Sequence, residues 1–480
     1  MRILAVHRST RQRLQLVLVG LLLGLAGALP GMTPQEESKS NGNLTVVKAG
    51  TVITVSGETL KNASIVIRNG IVEAVGTNVD YPFGAHVIDV PNSVVMPGLI
   101  DPVSAYVNLN GGRGVKPNQT FGEDLFIDGD RFEPLLAFGY TTLGLDPRGG
   151  PIPGRELVVR TSGKDTQAMT LTAEGPIKMT MNDPRSDKSN LVRAFKSAHA
   201  EIEKIRKARE AWEKKQKAKK KPSPKPAPKP APKPSPKPKP KPKPKSGTLE
   251  IKKPAKAKDA TFKAPPVNPL YRPLVDLIEK KKGVTAIIEF GRNQVNSWGV
   301  SITPAGCYEH LRTFLEEEPF AHSFRIFNGV VGKNSPFSVT PETDVNLIAE
   351  ALGKEKALVA LFPNINHYPY TRDQYNLGLK LFRAGCKVVY LPEQSRWSEY
   401  AIMFEKLARM VRYGFPREEI LKTVTLHPAE MLGMSDRLGS IEKGKEANLV
   451  FLSGDPLAFD TRVEKVMIRG ELIPFTRRIR

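Results

Sequence analysis

The 480-residue chain is short of the residues that build metal and redox centres: it has two cysteines, seven histidines and three tryptophans. With only Cys307 and Cys386, a disulfide framework is excluded, and neither has the cysteine–histidine context of a thiol nucleophile. Both are expected to pack as small apolar groups. The apolar run Leu14–Leu25 falls below the roughly 20 residues that a membrane span needs. Acidic residues are absent from Lys214 to Lys245, where fourteen lysines stand. Without that stretch the formal charge of +23 falls to +9, so the basic balance describes an insert more than a folded body. No aromatic side chain interleaves with those lysines, which leaves no stacking platform for specific nucleic-acid reading.

What is present divides the chain. Arg2, Arg8, Arg11 and Arg13 precede the apolar run, and Ala26-Gly27-Ala28 follows it. A basic segment, a short apolar segment and a small-residue site predict a secretory signal cut after Ala28, with an uncleaved anchor as the alternative. The polar stretch Thr33 to Asn43 reads as a flexible leader. Single cores stop growing beyond about 250 to 300 residues, so the remaining length predicts two folded units and some unfolded chain. Between Lys221 and Lys245 proline recurs at every second position, as in Pro224-Lys225-Pro226-Ala227-Pro228. Proline removes amide donors and excludes helix, so this run is expected to be a stiff, polyproline-like spacer. Upstream, Leu191, Phe195, Ala198, Ile202, Ile205 and Ala208 recur at helical spacing and predict a helix over Asn190 to Lys221.

Short β-branched runs dominate residues 44–97. Thr51–Val55, Ser64–Ile67 and Ile71–Val75 read as strands, the last two joined by the hairpin signal Asn69-Gly70. Ala447–Leu452, Val463–Arg469 and Glu471–Pro474 extend the pattern at the far end. Between them, expected strands at Leu99–Val107, Thr141–Leu145, Val284–Phe290, Phe324–Phe327, Ala357–Phe362 and Lys387–Leu391 alternate with helical runs. The helical runs are Pro269–Lys281, Thr340–Leu352, Arg372–Ala384 and Glu399–Tyr413. Such alternation predicts a parallel α/β architecture.

Particular motifs resemble one family. Pro97-Gly98-Leu99-Ile100-Asp101 is similar to the entry of the first barrel strand in the amidohydrolase superfamily, where it continues into His-x-His. Thr425–Gly433 followed by Asp436–Leu452 and Gly454-Asp455-Pro456-Leu457 resembles the closing signature of its imidazolonepropionase-like branch, with Asn448 where the family usually has Asp. Ala137–Leu143 and Gly150–Arg155 resemble the strand entry and glycine-rich loop between them. The resemblance implies a distorted (β/α)8 TIM-like barrel plus a composite β-sandwich from the two ends. The expected division is 1–28 signal peptide, 44–97 with 436–474 sandwich, 98–213 with 246–435 barrel, and 214–245 extended insert.

The resemblance also implies hydrolysis of non-peptide carbon–nitrogen bonds, with zinc or a similar divalent metal polarising the carbonyl and activating water. The ligand frame is altered here. Side chains at i and i+2 of a strand share a face, which is why His-x-His chelates one ion; here those positions are Val103 and Ala105, which donate nothing. Matching the last-strand aspartate places Glu393 as general base, and Glu289 falls near the fifth-strand histidine. Of the histidines, only His367 falls on a loop after an expected barrel strand, beside Asn366. The candidate catalytic residues are therefore Glu393, Glu289 and His367, and the candidate ligand-binding residues Arg148, Arg292, Arg396 and Asn366. A competing account pairs Glu289 and Glu393 with Arg292 and Arg396 as salt bridges at the barrel mouth. No metal site and no cofactor are expected. Two functions stay open: an exported, non-catalytic relative kept for binding, and an active enzyme with a displaced or metal-free site using Glu393. The partners left open are a small molecule, an anionic envelope polymer held by Lys214–Lys245, and an oligomer or related barrel subunit.

Overall fold

The computed structural model describes residues 43–122, 129–181, 183–220, 261–290, 294–295, 301–302, 304–326, 341–367 and 372–475. The signal segment with His7, most of the leader, the Lys221–Lys245 run, Arg292, Trp298 and the side chains of Asn366, His367 and Gln394 lie outside the described residues. Among the described residues no helix is long and apolar enough to cross a membrane.

The amino-terminal segment forms β1 (Leu44–Ile53), β2 (Thr59–Arg68), β3 (Ile71–Gly76) and β4 (His86–Pro97). There follow β5 (Leu99–Val115), β6 (Tyr140–Ile152), β7 (Gly154–Arg155), β8 (Leu157–Arg160), β9 (Thr170–Thr172) and β10 (Ile177–Met181). After the insert come β11 (Ala286–Phe290), β12 (Gln294–Val295), β13 (Ser301–Ile302) and β14 (His322–Ile326). Then come β15 (Leu358–Leu361), β16 (Ile365–His367), β17 (Gln374–Asn376) and β18 (Lys387–Tyr390). The last three are β19 (Leu449–Leu452), β20 (Val463–Ile468) and β21 (Glu471–Ile473).

The two ends of the chain meet in one seven-stranded sheet of order β21-β20-β19-β4-β1-β2-β3. Strand β4 is the junction, parallel to β1 on one side and antiparallel to β19 on the other, with Pro97 opposite Leu449. Asn69 and Gly70 take φ of 52° and 81°, the paired positive values that let a two-residue turn follow the strand twist. Where the resemblance implies two facing sheets, this single sheet buries side chains of its own strands, Val47, Ile65, Val95, Phe451 and Met467 among them, in one cluster. Asn448 takes a backbone role: its side-chain oxygen accepts the Arg469 amide at 2.9 Å, which an amide or a carboxylate does alike.

The body is mixed α/β. Strand β5 runs parallel to β6, and β10, β11, β14, β15 and β18 form a parallel run in that order. Among the described residues no ladder joins β18 back to β5. Gly98 is required at the entry to β5, because a Cβ there would sit 2.1 Å from the Thr141 hydroxyl. One face of the run, including Ile288, Phe290, Phe324, Val359 and Val388, packs in the main core with helix residues such as Leu311, Phe314, Leu352 and Leu381. Both cysteines are free and buried, as their scarcity predicts.

Two helices differ from the sequence reading. The stretch from Arg372 begins with β17, and its helix covers only Leu377–Ala384, capped by the Asn376 side chain. The long helix runs Pro184–Lys220: it begins before the expected Asn190 and ends one residue short of the expected Lys221, so the boundary drawn for the extended insert at 214 falls inside it. Ala, Gln and Lys are good helix formers, and the first proline is Pro222. Leu191, Phe195 and Ala198 dock this helix on the body, Phe195 against Phe314 and Phe320 at 5.1 and 5.2 Å between ring centroids.

Candidate functional site

Alternation along the parallel strands gives them a second face, turned away from the helices. Half of it is apolar: Val103, Ile287, Ala360, Phe362, Val389 and Leu391 form one buried cluster. Val103, at the first of the two family ligand positions, is therefore a packing residue, 1% exposed. The other half is ionic. The Lys178 ammonium donates to Asp146 Oδ1 and Oδ2 at 2.6 and 2.8 Å and to Glu289 Oε2 at 2.8 Å. Arg325 donates from one guanidinium nitrogen to Asp146 Oδ2 and Glu289 Oε2, both at 3.0 Å. All four side chains are under a tenth exposed. Burial works against the Arg325 charge, but Glu289 and Asp146 outweigh it and raise its pKa.

A fifth group completes the interior. The β6–β8 register ends at Leu145 opposite Leu157, and Glu156, the residue before β8, lies within reach of the Asp146 charge. Glu156 is fully buried, and neither of its carboxyl oxygens has a hydrogen-bond partner among the described residues. Burial, and then the Asp146 charge, push its pKa well above the carboxylate range, so it stands as a neutral acid beside two balanced ion pairs.

The seam between β5 and the segment after β18 is made by side chains. Glu393 opens the short 3-10 turn Glu393–Ser395 and is half-buried. Two residues on, Ser395 holds a left-handed φ of 49° and its hydroxyl accepts the Ala105 amide at 2.8 Å. Tyr400 donates to Asp101 Oδ2 at 2.5 Å, and its hydroxyl lies 2.8 Å from that of Ser104. The Val103 amide donates to Asp101 Oδ1 at 3.2 Å. Burial pushes the Asp101 carboxyl up to about 6, although the Tyr400 bond favours its charged form. The Tyr400 ring stands edge-on to Tyr140 and Tyr106, at 4.8 and 5.8 Å.

The sequence-predicted residues are not gathered by described contacts. Glu289 is in the interior, where Lys178 and Arg325 both hold it; Arg396 is exposed, and the expected pairing of Glu289 with Arg292 falls on a residue outside the described ones. Arg148 is an exposed residue of β6. The backbone of Asn366 and His367 belongs to β16, paired with β17. Asp146, Glu156, Lys178, Arg325 and Tyr400 were missed, and the signal was local. Lys178 in Ile-Lys-Met-Thr-Met and Arg325 in His-Ser-Phe-Arg-Ile are lone cations inside apolar runs, and such a charge is rarely buried without a partner. A cleft of about 590 Å3, lined by Ile53, Lys61, Arg417 and Asp455 among others, lies at the terminal sheet, and none of the interior residues lines it.

The model of the amidohydrolase family matches residues 305–473. An amidohydrolase from Thermotoga maritima shares the fold, with a TM-score of 0.57 at 20% identity over 90% of this chain and 100% of that one. The carboxy-terminal part of the chain is thus similar to the amidohydrolase family, and the fold as a whole is similar to that of a solved amidohydrolase. A curated relative, the amidohydrolase tasK of Hapsidospora irregularis, is 32% identical over 93 residues. That match covers 19% of this chain and 9% of that protein, so the chain spans under a tenth of its length. The residues that the family model matches begin after the β5 entry, where Val103 and Ala105 flank Ser104.

Proposed function

We propose that this chain is a non-hydrolytic member of the amidohydrolase superfamily, a fold kept for binding or as a partner subunit, with its strand interior closed by its own ion pairs. The observation that carries this reading is the double occupation of Asp146 and Glu289 by Lys178 and Arg325. Superfamily resemblance implies a divalent metal. The residues present do not fit one: Val103 and Ala105 offer no lone pair, and the interior carboxylates are already held by two cations. Among the described residues, no group of three or more His, Cys, Asp or Glu side chains is set to hold a metal ion.

The test is metal content of the mature protein by mass spectrometry, purified without chelator or metal-affinity tag, beside assays on cyclic amides and N-acyl amino acids. Metal far below one ion per chain and no turnover are expected. Near-stoichiometric metal, lost on Glu393→Gln, would sink the proposal and favour the second reading, an active carbon–nitrogen hydrolase with Glu393 as general base. The half-buried Glu393 directly after β18 favours that reading.

Three finer points belong to the same proposal. The parallel strands are read as a distorted (β/α)8 barrel. Export rests on the basic-apolar-small pattern through Ala28, and amino-terminal sequencing of the mature chain tests the cut. The Lys214–Lys245 run supplies charge for an anionic envelope polymer.

A further inference from the structure

The cleft of about 590 Å3 at the terminal sheet lies apart from the strand interior, and its volume is within the roughly 300 to 1,000 Å3 of small-molecule sites. Four stretches distant in sequence build it: the end of β1 with the turn into β2, Val94 of β4, the short helix Arg417–Ile420 with Leu421, and residues 455–457 after β19. Its walls are apolar and fixed. Val55 and Leu421 belong to the main core, and Ile53, Val94 and Leu457 pack against it, so the lining is an open edge of that core.

The charged groups that line the cleft sort by partner. Arg417 pairs with Asp455, and the Lys61 ammonium donates to the Thr51 hydroxyl at 3.0 Å. Glu58 and Glu418 have no cation among the described residues, whereas Glu419, next to Glu418 on the same helix, pairs with Lys422 at 2.6 Å. We propose that this cleft binds an amphiphilic amine, its apolar body on the core-backed walls and its ammonium at Glu58 and Glu418. An anion finds both cations engaged and two carboxylates against it. A purely apolar molecule would strip water from those carboxylates and give them no partner in exchange.

The turn that carries Glu58 is held in place before any ligand arrives. Thr54 Oγ1 accepts the Gly57 amide at 3.1 Å and donates to the Glu58 carbonyl at 3.2 Å, and the Thr54 carbonyl accepts the Ile441 amide at 3.0 Å. Beside it Val55 holds a left-handed φ of 71°, a conformation that a β-branched residue keeps only where its surroundings impose it. A backbone fixed in this way leaves little to order on binding. This is a second site, and the proposal stands whether or not the strand interior is hydrolytic.

Calorimetric titration of the full chain with butyl-, hexyl- and octylammonium at about 0.15 M salt tests this, with octanoate as the matched anion. One octylammonium per chain is expected, with affinity rising by up to about fourfold for each added methylene. Octylammonium should also bind more tightly than octanoate, although the chain's net charge of +23 favours the anion. Glu58→Gln combined with Glu418→Gln, both at exposed positions, is expected to weaken octylammonium by about 3- to 10-fold and leave octanoate as it was. No saturable binding of octylammonium overturns the proposal, as does octanoate bound equally well. An affinity that does not grow with chain length overturns it too, since the walls would then take no part. So does an affinity unchanged in the double variant, which would place the probe elsewhere; if that variant does not fold, Glu418→Gln alone is read in the same way. Stoichiometric metal in the parent would sink the non-hydrolytic reading and leave these outcomes untouched, so the two proposals fail separately.

Discussion

At Lys178 a single ammonium bridges carboxylates from two strands, one of which, Glu289, had attracted a catalytic reading. A buried ion pair is weak evidence of net stability, since desolvation offsets attraction, but breaking one strands its partner. Lys178→Met is therefore expected to cost about 3 to 5 kcal/mol in urea unfolding, leaving two carboxylates to share Arg325. Two other carboxyls titrate in opposite senses. Glu446 is buried, which alone would raise its pKa, yet Arg160 and Arg437 depress it below the ordinary range. Its contribution is thus present above the ordinary glutamate pKa and lost as pH falls through the depressed value. Asp101 contributes most in acid and loses that contribution as pH rises through about 6. Unfolding free energies measured from pH 3 to 8 should show the penalty of Glu446→Gln shrinking toward acid, with the Asp101→Asn difference changing in the other direction. Equal pH slopes in both variants would contradict the assignment.

At the scale of elements, the long helix Pro184–Lys220 has a docked half and a half that holds itself by pairs such as Arg206–Glu203 and Arg209–Glu213. Phe195→Ala removes a fully buried ring and is expected to cost about 3 to 5 kcal/mol, whereas Arg206→Ala should fall within about 0.5 kcal/mol, both by urea unfolding. The docked half was legible, because Leu191, Phe195 and Ala198 follow the helical period. The terminal hairpin was legible for a similarly local reason, the Asn69-Gly70 turn, and so were six of the parallel strands. Strand β10 was not: Ile177–Met181 alternates apolar and polar residues as a half-exposed strand does, yet its Lys178 and Thr180 are buried, and five residues are too short a run to stand out. The ionic interior was hidden for a different reason. Asp146, Lys178, Glu289 and Arg325 lie on four strands spread over 180 residues, and a pairing of that kind has no period in sequence. Glu393 was reached through the family motif, whereas its neighbour Tyr400 has no motif to mark it, though its ring and hydroxyl hold the seam.

For the whole molecule, charge and fold are separable. Replacing Lys221–Lys245, with its nine lysines, by a short neutral linker is expected to leave the thermal midpoint within about a degree while weakening retention on an anionic resin, since the run is rich in charge and holds no apolar side chain larger than alanine besides its prolines. A fall of many degrees would show that the run packs on the body. The strand interior is filled by the chain's own side chains, an apolar cluster about Val103 on one side and the Asp146, Lys178, Glu289 and Arg325 ion pairs on the other.

The terminal sheet also sets an order of events during synthesis. Strands β1 to β4 leave the ribosome first, but the partner that covers the outer edge of β4 begins at Leu449, after more than 300 further residues. At about 5 to 20 residues per second the wait lasts some tens of seconds. Through that interval Val94, Val95 and Met96 present unpaired backbone and apolar side chains to any neighbour able to add a strand. The nascent chain therefore depends on being kept apart from its copies until its last strands arrive, and a ribosome that stalls before Leu449 leaves behind an aggregation seed.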